Sequence, residues 1–145
     1  MKKIYDNRME ITFDSKSENE GLARVVAAAF CAKLDPTIEE ISDIKTAVSE
    51  AVTNCVVHGY DGGEGIIRMR CYLKQDTFIV EIHDDGVGID NIPKAMEPLY
   101  TSKPELERSG MGFSFMEAFM DSLDVISHKS EGTTVIMKKK IGVNK

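Results

Sequence analysis

Five short stretches of the chain have the hydrophobic pattern of β-strands. Apolar and polar side chains alternate over residues 9–13 and again over residues 67–74, as expected for half-buried strands. Gln75-Asp76 separates the second stretch from a third at residues 78–83, so these two predict an antiparallel hairpin. Residues 123–127 and 133–141 are the other candidates, and the lysines at 138–140 are expected to form a solvated strand end that discourages edge pairing.

Apolar residues at helical spacing predict two helices between the first strand and the hairpin. The string Ser-x-x-Glu at residues 17–20 has the pattern of a capping box before the first helix, and Asp-Pro at residues 35–36 stops that helix. Thr-x-x-Glu at residues 37–40 opens the second helix, which is predicted to end near residues 58–59. Its apolar stripe comprises Ile38, Ile41, Ile44, Val48, Val52 and Cys55.

A third helix completes the pattern and indicates the fold class. Gly112 leads into a helix with apolar side chains at positions 113, 116, 119 and 120 on one face. Residues 90–111 before it form a long irregular stretch, and such stretches are usually functional or mobile. The order of elements predicts an α+β fold, a two-layer sandwich of a mixed, mostly antiparallel sheet with helices on one face.

Composition and charge limit the classes of protein to which the chain can belong. Its 145 residues, 42% hydrophobic and 29% charged, predict one globular domain over residues 1–145. A net charge of −6 disfavours binding to nucleic acid through phosphate neutralisation. Because no apolar run suits a membrane span or a secretory signal, we expect a cytoplasmic protein without a membrane partner. Cys31, Cys55 and Cys71 form no Cys-x-x-Cys pair and are expected to be buried thiols.

Two polar residues of the second helix are candidates for chemistry. Glu50 and Asn54 are four positions apart, so they are neighbours on the helix face opposite the apolar stripe. Taken alone, the pair is more typical of a solvated helix face than of an active site. A carboxylate could also orient or deprotonate a hydroxyl group, and an amide oxygen is a suitable ligand for Mg²⁺.

Three glycine-containing strings are further candidates, although each alone is common in ordinary turns. Asp-x-Gly-x-Gly at residues 84–88 follows a strand, where its carboxylate could accept from an exocyclic amine and its glycines would let a flat ligand approach the backbone. Ser-Gly-Met-Gly-Phe at residues 109–113 opens a helix, and amides at a helix N-terminus favour anionic oxygens. Gly-Thr-Thr at residues 132–134 enters the last strand.

The order and spacing of these four signals are more specific than any one of them. Together they resemble the GHKL ATP-binding fold shared by gyrase, histidine kinases and MutL. Within that superfamily, the strings at residues 46–54, 58–60 and 101–113 are similar to those of the anti-sigma-F factors of sporulating bacteria, which are also serine kinases. The resemblance covers residues 9–138, and the string at 101–113 is its most specific part.

The resemblance implies a role for each matching position. Glu50 would polarise the attacking hydroxyl group, and Asn54 would bind Mg²⁺. Asp84 would accept a hydrogen bond from the adenine amine of ATP or ADP, and Thr133 would complete the adenine pocket. The other nucleotide-binding positions would be Gly86 and Gly88 beneath the base, Thr101, Ser102 and Lys103 in the ATP lid, and Gly110, Met111 and Gly112 in the phosphate-binding turn.

The resemblance also implies protein partners. With ATP bound, the chain would sequester a sigma-F type sigma factor, and it would phosphorylate a serine of the anti-anti-sigma protein that displaces that factor. Glu20, Arg24 and Arg108 match positions that contact partners, and the family's members act as homodimers. Cys55 stands where Ala is common, and Tyr100 and Ser102 stand where Phe and Thr are common, but no candidate catalytic group is lost.

Alternative functions stay open at this point. A general-stress, sigma-B type anti-sigma kinase would have the same chemistry and a different sigma factor. A nucleotide-gated sigma-binding module would lack kinase activity, and the presence of both Glu50 and Asn54 argues against it. A detached histidine-kinase ATP domain is disfavoured because the chain has no room for a phospho-accepting helical hairpin, and a gyrase- or MutL-type ATPase because it has no room for a transducer domain.

Overall fold

A five-stranded sheet forms one layer of the structure, a computed structural model that describes residues 4–89, 91–97 and 112–142. The strands are β1 Asn7–Asp14, β2 Ile66–Lys74, β3 Thr77–Asp84, β4 Ser122–His128 and β5 Gly132–Lys140. Their order is β1-β2-β3-β5-β4, and each of these four pairings is antiparallel. The expectations for Thr101, Ser102, Lys103, Arg108, Gly110 and Met111 fall outside the described residues.

Helices form the second layer. They are α1 Asn19–Cys31, α2 Ile38–Asn54 and α4 Gly112–Phe119, and α2 packs against both α1 and α4; a further short helix, α3 Ile92–Ala95, follows β3 in the chain. A 3₁₀ turn at Ala32–Leu34 follows α1, and a π turn at Cys55–Gly59 follows α2. The predicted two-layer α+β architecture is confirmed, with one helical turn, α3, inside the stretch predicted to be irregular. No described helix has both the length and the apolar character that crossing a membrane requires.

The core lies between the helices and one face of the sheet. Alternate residues of β2 and β3 point into it, whereas the residues between them, such as Arg68 and Arg70, face the other side. The three cysteines are buried and carry free thiols, as predicted. The largest apolar contributors are Phe78, Ile44, Ile67, Met69, Ile82, Met116 and Met137.

The capping box predicted at the start of α2 is confirmed. Thr37 Oγ1 accepts a hydrogen bond from Glu40 N at 3.1 Å, and Glu40 Oε1 accepts one from Thr37 N at 2.8 Å. The second carboxylate oxygen of Glu40, Oε2, accepts a hydrogen bond from Gly142 N at 2.9 Å. Glu40 therefore ties the start of α2 to the residues that follow β5, and its side chain is buried.

Two sequence predictions about the helix starts are wrong. The N-cap of α1 is Glu18, whose side chain makes no capping hydrogen bond, and the Glu20 carboxylate pairs with Arg24. Ile38, assigned to the apolar stripe of α2, is 90% exposed. It is the first residue of α2, and the predicted stripe is fully buried only from Ile44 onward.

The expectation of a solvated strand end at residues 138–140 holds for Lys138 and Lys140, which are exposed, but it is wrong for Lys139 and for the edge position. β5 lies inside the sheet, between β3 and β4, and Lys139 pairs with the core residue Phe78. The Lys139 side chain is only 12% exposed; Nζ donates to Phe119 O at 2.7 Å and lies 3.5 Å from Asp43 Oδ2. A long side chain at this alternating position reaches across the core face to the end of α4 and to α2.

Candidate functional site

The polar face of α2 meets the N-terminus of α4. An ideal Cβ placed on Gly112 would lie 3.2 Å from Asn54 Oδ1 and 3.4 Å from Glu50 Oε2. Gly112 is the first residue of α4 and is buried. Glu50 and Asn54 are thus packed against a second helix rather than on a solvated face. A carboxylate, an amide and the amide groups of a helix N-terminus converge there, and such helix ends favour anionic oxygens.

The chain leaves α2 through a π turn, and this turn directs the next residues toward the end of β3. Tyr60 N donates to Cys55 O at 2.9 Å, a bond that spans five residues, and Gly62 N donates to Val56 O at 2.9 Å. The turn contains Cys55, Val56, Val57, His58 and Gly59, of which all but His58 are buried. π turns of this kind occur frequently at functional sites.

Asp84 ends β3 and is 3% exposed. Its Oδ1 accepts a hydrogen bond from Gly86 N at 2.9 Å. Burial raises the pKa of Asp84, although the hydrogen bond from Gly86 and the nearby Cys55 thiol act in the opposite direction. Burial, followed by the charge of Asp84, raises the pKa of the Cys55 thiol well above its usual range, so the thiol keeps its proton.

The space around the Asp84 carboxylate exists because residue 59 is glycine. An ideal Cβ on Gly59 would lie 2.7 Å from Asp84 Oδ1 and 2.8 Å from Oδ2, closer than real Cβ atoms approach. A Cβ on Gly86 would overlap Gly59 O, which accepts a hydrogen bond from Val87 N at 2.9 Å. The π turn and the loop after β3 can therefore touch only when both positions lack a side chain.

Gly88 and Thr133 lie on the other side of the loop. Gly88 has φ +76°, which favours glycine, and a Cβ there would overlap His128 O. Thr133 is the partner of Asp84 across the β3–β5 ladder and is buried. The structure thus brings together Asp84, Gly86, Gly88 and Thr133, the described candidates for the adenine end of a nucleotide site. Their contact with a base stays a prediction.

Ser127 is a buried member of this group that the sequence analysis did not single out. Its Oγ accepts a hydrogen bond from Ile89 N at 2.8 Å, donates one to Gly132 O at 2.9 Å, and lies 2.7 Å from Thr133 Oγ1. It therefore joins the loop that follows β3 to the start of β5. A serine in the alternating pattern of a strand carries no local signal for such a role.

Gly59 and Tyr60 belong to the string at residues 58–60 that carries part of the resemblance, which implies no role for either in the site. Tyr60 OH donates to Ile66 O at 2.6 Å and accepts a hydrogen bond from Asp85 N at 2.7 Å. It therefore braces the turn after β3 against the start of β2. Asp85 Oδ1 also lies 2.7 Å from His83 Nε2. The other ring nitrogen of His83, Nδ1, lies 2.7 Å from Thr134 Oγ1.

The two described candidates for partner contact lie on α1. Glu20 Oε1 and Arg24 Nη1 form an ion pair at 3.1 Å, and the arginine side chain is 45% exposed. Glu20 Oε2 also accepts a hydrogen bond from Thr53 Oγ1 at 3.4 Å. Because Thr53 precedes Asn54, this bond links the candidate docking helix to the polar end of α2.

The family of the chain follows from comparison with known proteins. Residues 13–139 match the family described as "Histidine kinase-like ATPase domain". A crystal structure of the RsbU and RsbW domains of Rv1364c from Mycobacterium tuberculosis covers 93% of this chain at a TM-score of 0.65. The match spans 32% of that longer chain at 20% identity, so it supports the fold alone. The chain belongs to the histidine kinase-like ATPase domain family.

Curated relatives narrow the assignment within that family. Proteins named "Anti-sigma F factor" from Clostridium beijerinckii and Clostridium kluyveri are each 60% identical to the chain, over 139 and 136 residues. These alignments cover 95% and 94% of this chain and 97% and 96% of the relatives. A namesake from Clostridium botulinum is 59% identical over 97% of this chain and 99% of its own. The chain is therefore a member of the anti-sigma F factor family.

Proposed function

We propose that this chain is an anti-sigma factor and an ATP-dependent serine protein kinase, with residues 1–145 forming one ATP-binding kinase domain. It binds and inhibits a sigma-F type sigma factor, and it phosphorylates a serine of the anti-anti-sigma protein that opposes this inhibition. The names of relatives 60% identical to the chain support the partner class. The histidine kinase-like ATPase domain supports the use of ATP.

One observation carries the proposal: two consecutive residues at the end of α2 reach two separate candidate binding regions. Asn54 lies beside the N-terminus of α4, where the phosphates would bind, and Cys55 lies close to Asp84, where the base would bind. A nucleotide that spans the two regions would have its adenine amine on a carboxylate and its phosphates on helix amides. The polar groups at each end match the chemistry of that part of ATP.

The donor set also fits a magnesium ion shared with phosphate oxygens. Among the described residues, no group of three or more His, Cys, Asp or Glu side chains could hold a metal. Mg²⁺ is usually bound by one or two protein oxygens together with substrate phosphates rather than by an all-protein cage. Asn54 Oδ1 would supply such an oxygen with Glu50 beside it, and the ion would supply charge neutralisation at the phosphates.

Phosphoryl transfer depends mainly on positioning and charge stabilisation, and different described residues would supply each of these. The N-terminal amides of α4 would hold the terminal phosphates, while Asp84 would hold the base. The serine oxygen of the partner forms the new bond to the γ-phosphorus as the bond to the ADP oxygen breaks. The Glu50 carboxylate would orient the serine hydroxyl and accept its proton.

Docking of the partners is assigned to α1 and to the end of the lid. Glu20 and Arg24 would contact the partner proteins, as would Arg108, which lies outside the described residues. The hydrogen bond from Thr53 to Glu20 would transmit docking on α1 to the turn that carries Asn54. The proposal includes a homodimer, and it places the chain in the cytoplasm, where sigma factors act.

Intact-mass spectrometry tests the kinase assignment. The chain is mixed with Mg-ATP and the anti-anti-sigma protein of the same organism, and Glu50→Gln is compared with Glu39→Gln, an exposed glutamate of the same helix. We expect one phosphate on a partner serine with the wild type and Glu39→Gln, and a rate at least about a hundredfold lower with Glu50→Gln. ATP binding without phosphate on the partner would contradict the kinase assignment and leave a nucleotide-gated binding module.

A binding assay tests the choice of sigma factor. The chain is immobilised with ATP and offered sigma-F type and sigma-B type factors separately at equal concentration. We expect retention of the sigma-F type factor alone, and weaker retention when Arg24 is replaced by Ala. Preference for the sigma-B type factor would overturn the sigma-F assignment while leaving the kinase assignment intact.

A further inference from the structure

We propose that Lys139 is a positioning residue that holds α4 against α2 and so fixes the helix end at which the phosphates of ATP would bind. The inference rests on the proposed function in one respect, namely that the phosphates bind at the N-terminus of α4. It begins from a charged group that the proposed chemistry does not use. The Lys139 side chain is only 12% exposed, and a lysine is rarely buried unless its ammonium group is paired.

Lys139 has one partner on each of the two helices. Its Nζ donates a hydrogen bond to Phe119 O at 2.7 Å, at the last residue of α4, and lies 3.5 Å from Asp43 Oδ2 of α2. Because β5 lies between β3 and β4, its backbone gives the lysine a fixed attachment in the sheet. Breaking a pair that is largely shielded from water leaves an uncompensated charge, so this contact resists separation of the two helices.

The C-terminus of α4 takes its positive charge from this lysine. The last turn of α4 contains no basic residue, although a cation near the last carbonyls of a helix is stabilising. α4 has eight residues, and an isolated helix shorter than about 12 residues is marginal in water. The position of α4 therefore depends on tertiary contacts, and Lys139 supplies one of them at its C-terminal end.

The contacts of Lys139 and the candidate phosphate region lie at opposite ends of the α2–α4 pair. Gly112 faces Asn54 at one end, and Phe119 is joined to Asp43 through Lys139 at the other. At 1.5 Å per residue, these ends are about 10 Å apart along α4 and about 16 Å apart along α2. Loss of the lysine contact would let α4 shift or tilt over α2, which would move its N-terminal amides away from Asn54.

The adenine end of the candidate site is held by other contacts. Asp84 and Thr133 are partners in the β3–β5 ladder, and Ser127 Oγ lies 2.7 Å from Thr133 Oγ1. Neither of these contacts involves the Lys139 side chain. Removing its ammonium group should therefore affect binding of the phosphates and leave binding of the base unchanged, whereas a general loss of stability would not distinguish the two.

The dissociation constants of Mg-ATP and adenosine, measured by NMR titration well below the unfolding temperature, test this selectivity. Lys139→Met keeps an apolar side chain and removes the ammonium group, and Lys138→Met makes the same change at an exposed neighbouring position. In Lys139→Met we expect Mg-ATP binding to weaken about five- to tenfold and adenosine binding by less than about twofold. Lys138→Met should change neither. Unchanged Mg-ATP binding in Lys139→Met, or equal weakening of both ligands, would overturn the inference.

Hydrogen exchange in the nucleotide-free protein gives an independent measurement. We expect the backbone amides of α4 to exchange about tenfold faster in Lys139→Met, relative to those of α1, and at the wild-type rate in Lys138→Met. Wild-type exchange of α4 in Lys139→Met would overturn the inference. If Lys139→Met does not fold, Asp43→Asn replaces it, and a wild-type ratio of Mg-ATP to adenosine affinity in folded Asp43→Asn would overturn the inference instead.

Asn54→Ala distinguishes failure of the inference from failure of the proposed function. If Asn54→Ala binds Mg-ATP as tightly as the wild type does, Asn54 does not serve the phosphates and the proposed site is wrong. Hydrogen exchange uses no nucleotide, so it still decides whether Lys139 holds α4. If Asn54→Ala loses Mg-ATP binding while Lys139→Met behaves as wild type, the proposed function stands and the inference fails.

Discussion

The carboxylate of Glu40 accepts a hydrogen bond from the backbone amide of Gly142 at 2.9 Å, although 102 positions separate the two residues. The other oxygen of the same carboxylate closes the capping box with Thr37. Glu40 is 1% exposed, so both bonds are shielded from water. A single buried side chain thus stabilises the start of α2 and fixes the chain beyond β5.

Replacing Glu40 by Ala should destabilise the fold strongly. The substitution removes half of the capping box and leaves Gly142 N–H without its acceptor, so we expect the free energy of unfolding to fall by about 2–4 kcal/mol. Urea denaturation followed by circular dichroism measures this change. The matched control, Glu39→Ala at the exposed neighbouring position, should change stability by no more than about 0.5 kcal/mol. Equal effects of the two substitutions would contradict the role of Glu40.

The stabilising effect of Glu40 should depend on pH. Burial alone would raise its pKa, but hydrogen bonds from Thr37 and Gly142, with Lys139 nearby, lower the pKa below 4.5. A carboxyl whose pKa is lower in the folded state stabilises the fold above its unfolded pKa, and that stabilisation is lost as pH falls through the folded value. The stability difference between wild type and Glu40→Gln should therefore be constant above about pH 5.5 and shrink below about pH 4.5. If the stability difference between wild type and Glu40→Gln grew as the pH was lowered, it would contradict a lowered pKa of Glu40 in the folded protein.

Gly112→Ala should impair ATP binding more than it impairs folding. The new Cβ would lie 3.2–3.4 Å from the ends of the Asn54 and Glu50 side chains, which can shift by a few tenths of an ångström. Alanine also favours helix by about 1 kcal/mol, so we expect stability to change by less than about 1 kcal/mol. Calorimetry should show Mg-ATP binding weakened about tenfold, because the displaced groups no longer face the phosphates correctly.

The control for this substitution is Gly21→Ala in α1. An ideal Cβ there meets only Arg24 Nη2, at 4.0 Å. Gly21→Ala should leave Mg-ATP binding unchanged and raise stability by up to about 1 kcal/mol. Should Gly112→Ala bind Mg-ATP as tightly as this control does, Asn54 and Glu50 do not serve the phosphate end of the site.

Ser127→Ala should weaken both the fold and the adenine end of the site. It leaves the half-buried Ile89 N–H without its acceptor and removes a hydrogen-bond partner from the buried Thr133, so we expect a loss of about 1–3 kcal/mol in stability. ATP binding should weaken several-fold, since Ser127 no longer joins the loop that follows β3 to Thr133. Ser122→Ala, at an exposed position of the same strand, should change neither quantity. ATP binding that stays at the wild-type level would place Thr133 and the loop outside the adenine pocket.

Much of the fold is predicted by short patterns of neighbouring residues. The β2–β3 hairpin and the capping box of Thr37 and Glu40 were predicted because their signals lie within a few neighbouring residues. The same reasoning failed for the string at residues 17–20, where the Glu20 carboxylate pairs with Arg24 and with the distant Thr53 instead of capping the helix. A local pattern cannot show such competition.

The candidate site was predicted in part for the same reason. Glu50, Asn54 and Asp84 could be selected because their residue types and spacing are visible along the chain. Gly59 and Ser127 could not be given roles, since each acts through a tertiary contact, Gly59 by yielding space to Asp84 and Ser127 by joining a loop to β5. The burial of Lys139 was missed because strand order depends on pairing that the sequence pattern does not state.

The π turn at Cys55–Gly59 makes the length of this segment as important as its residues. It begins directly after Asn54 and ends at Gly59, whose carbonyl meets Val87 N at 2.9 Å. Deleting one residue would rotate everything beyond it by about 100° if the α-helical register were restored, and an insertion would displace Gly59 from Asp84. Homologous chains are therefore expected to vary in side chain along this segment more readily than in residue number.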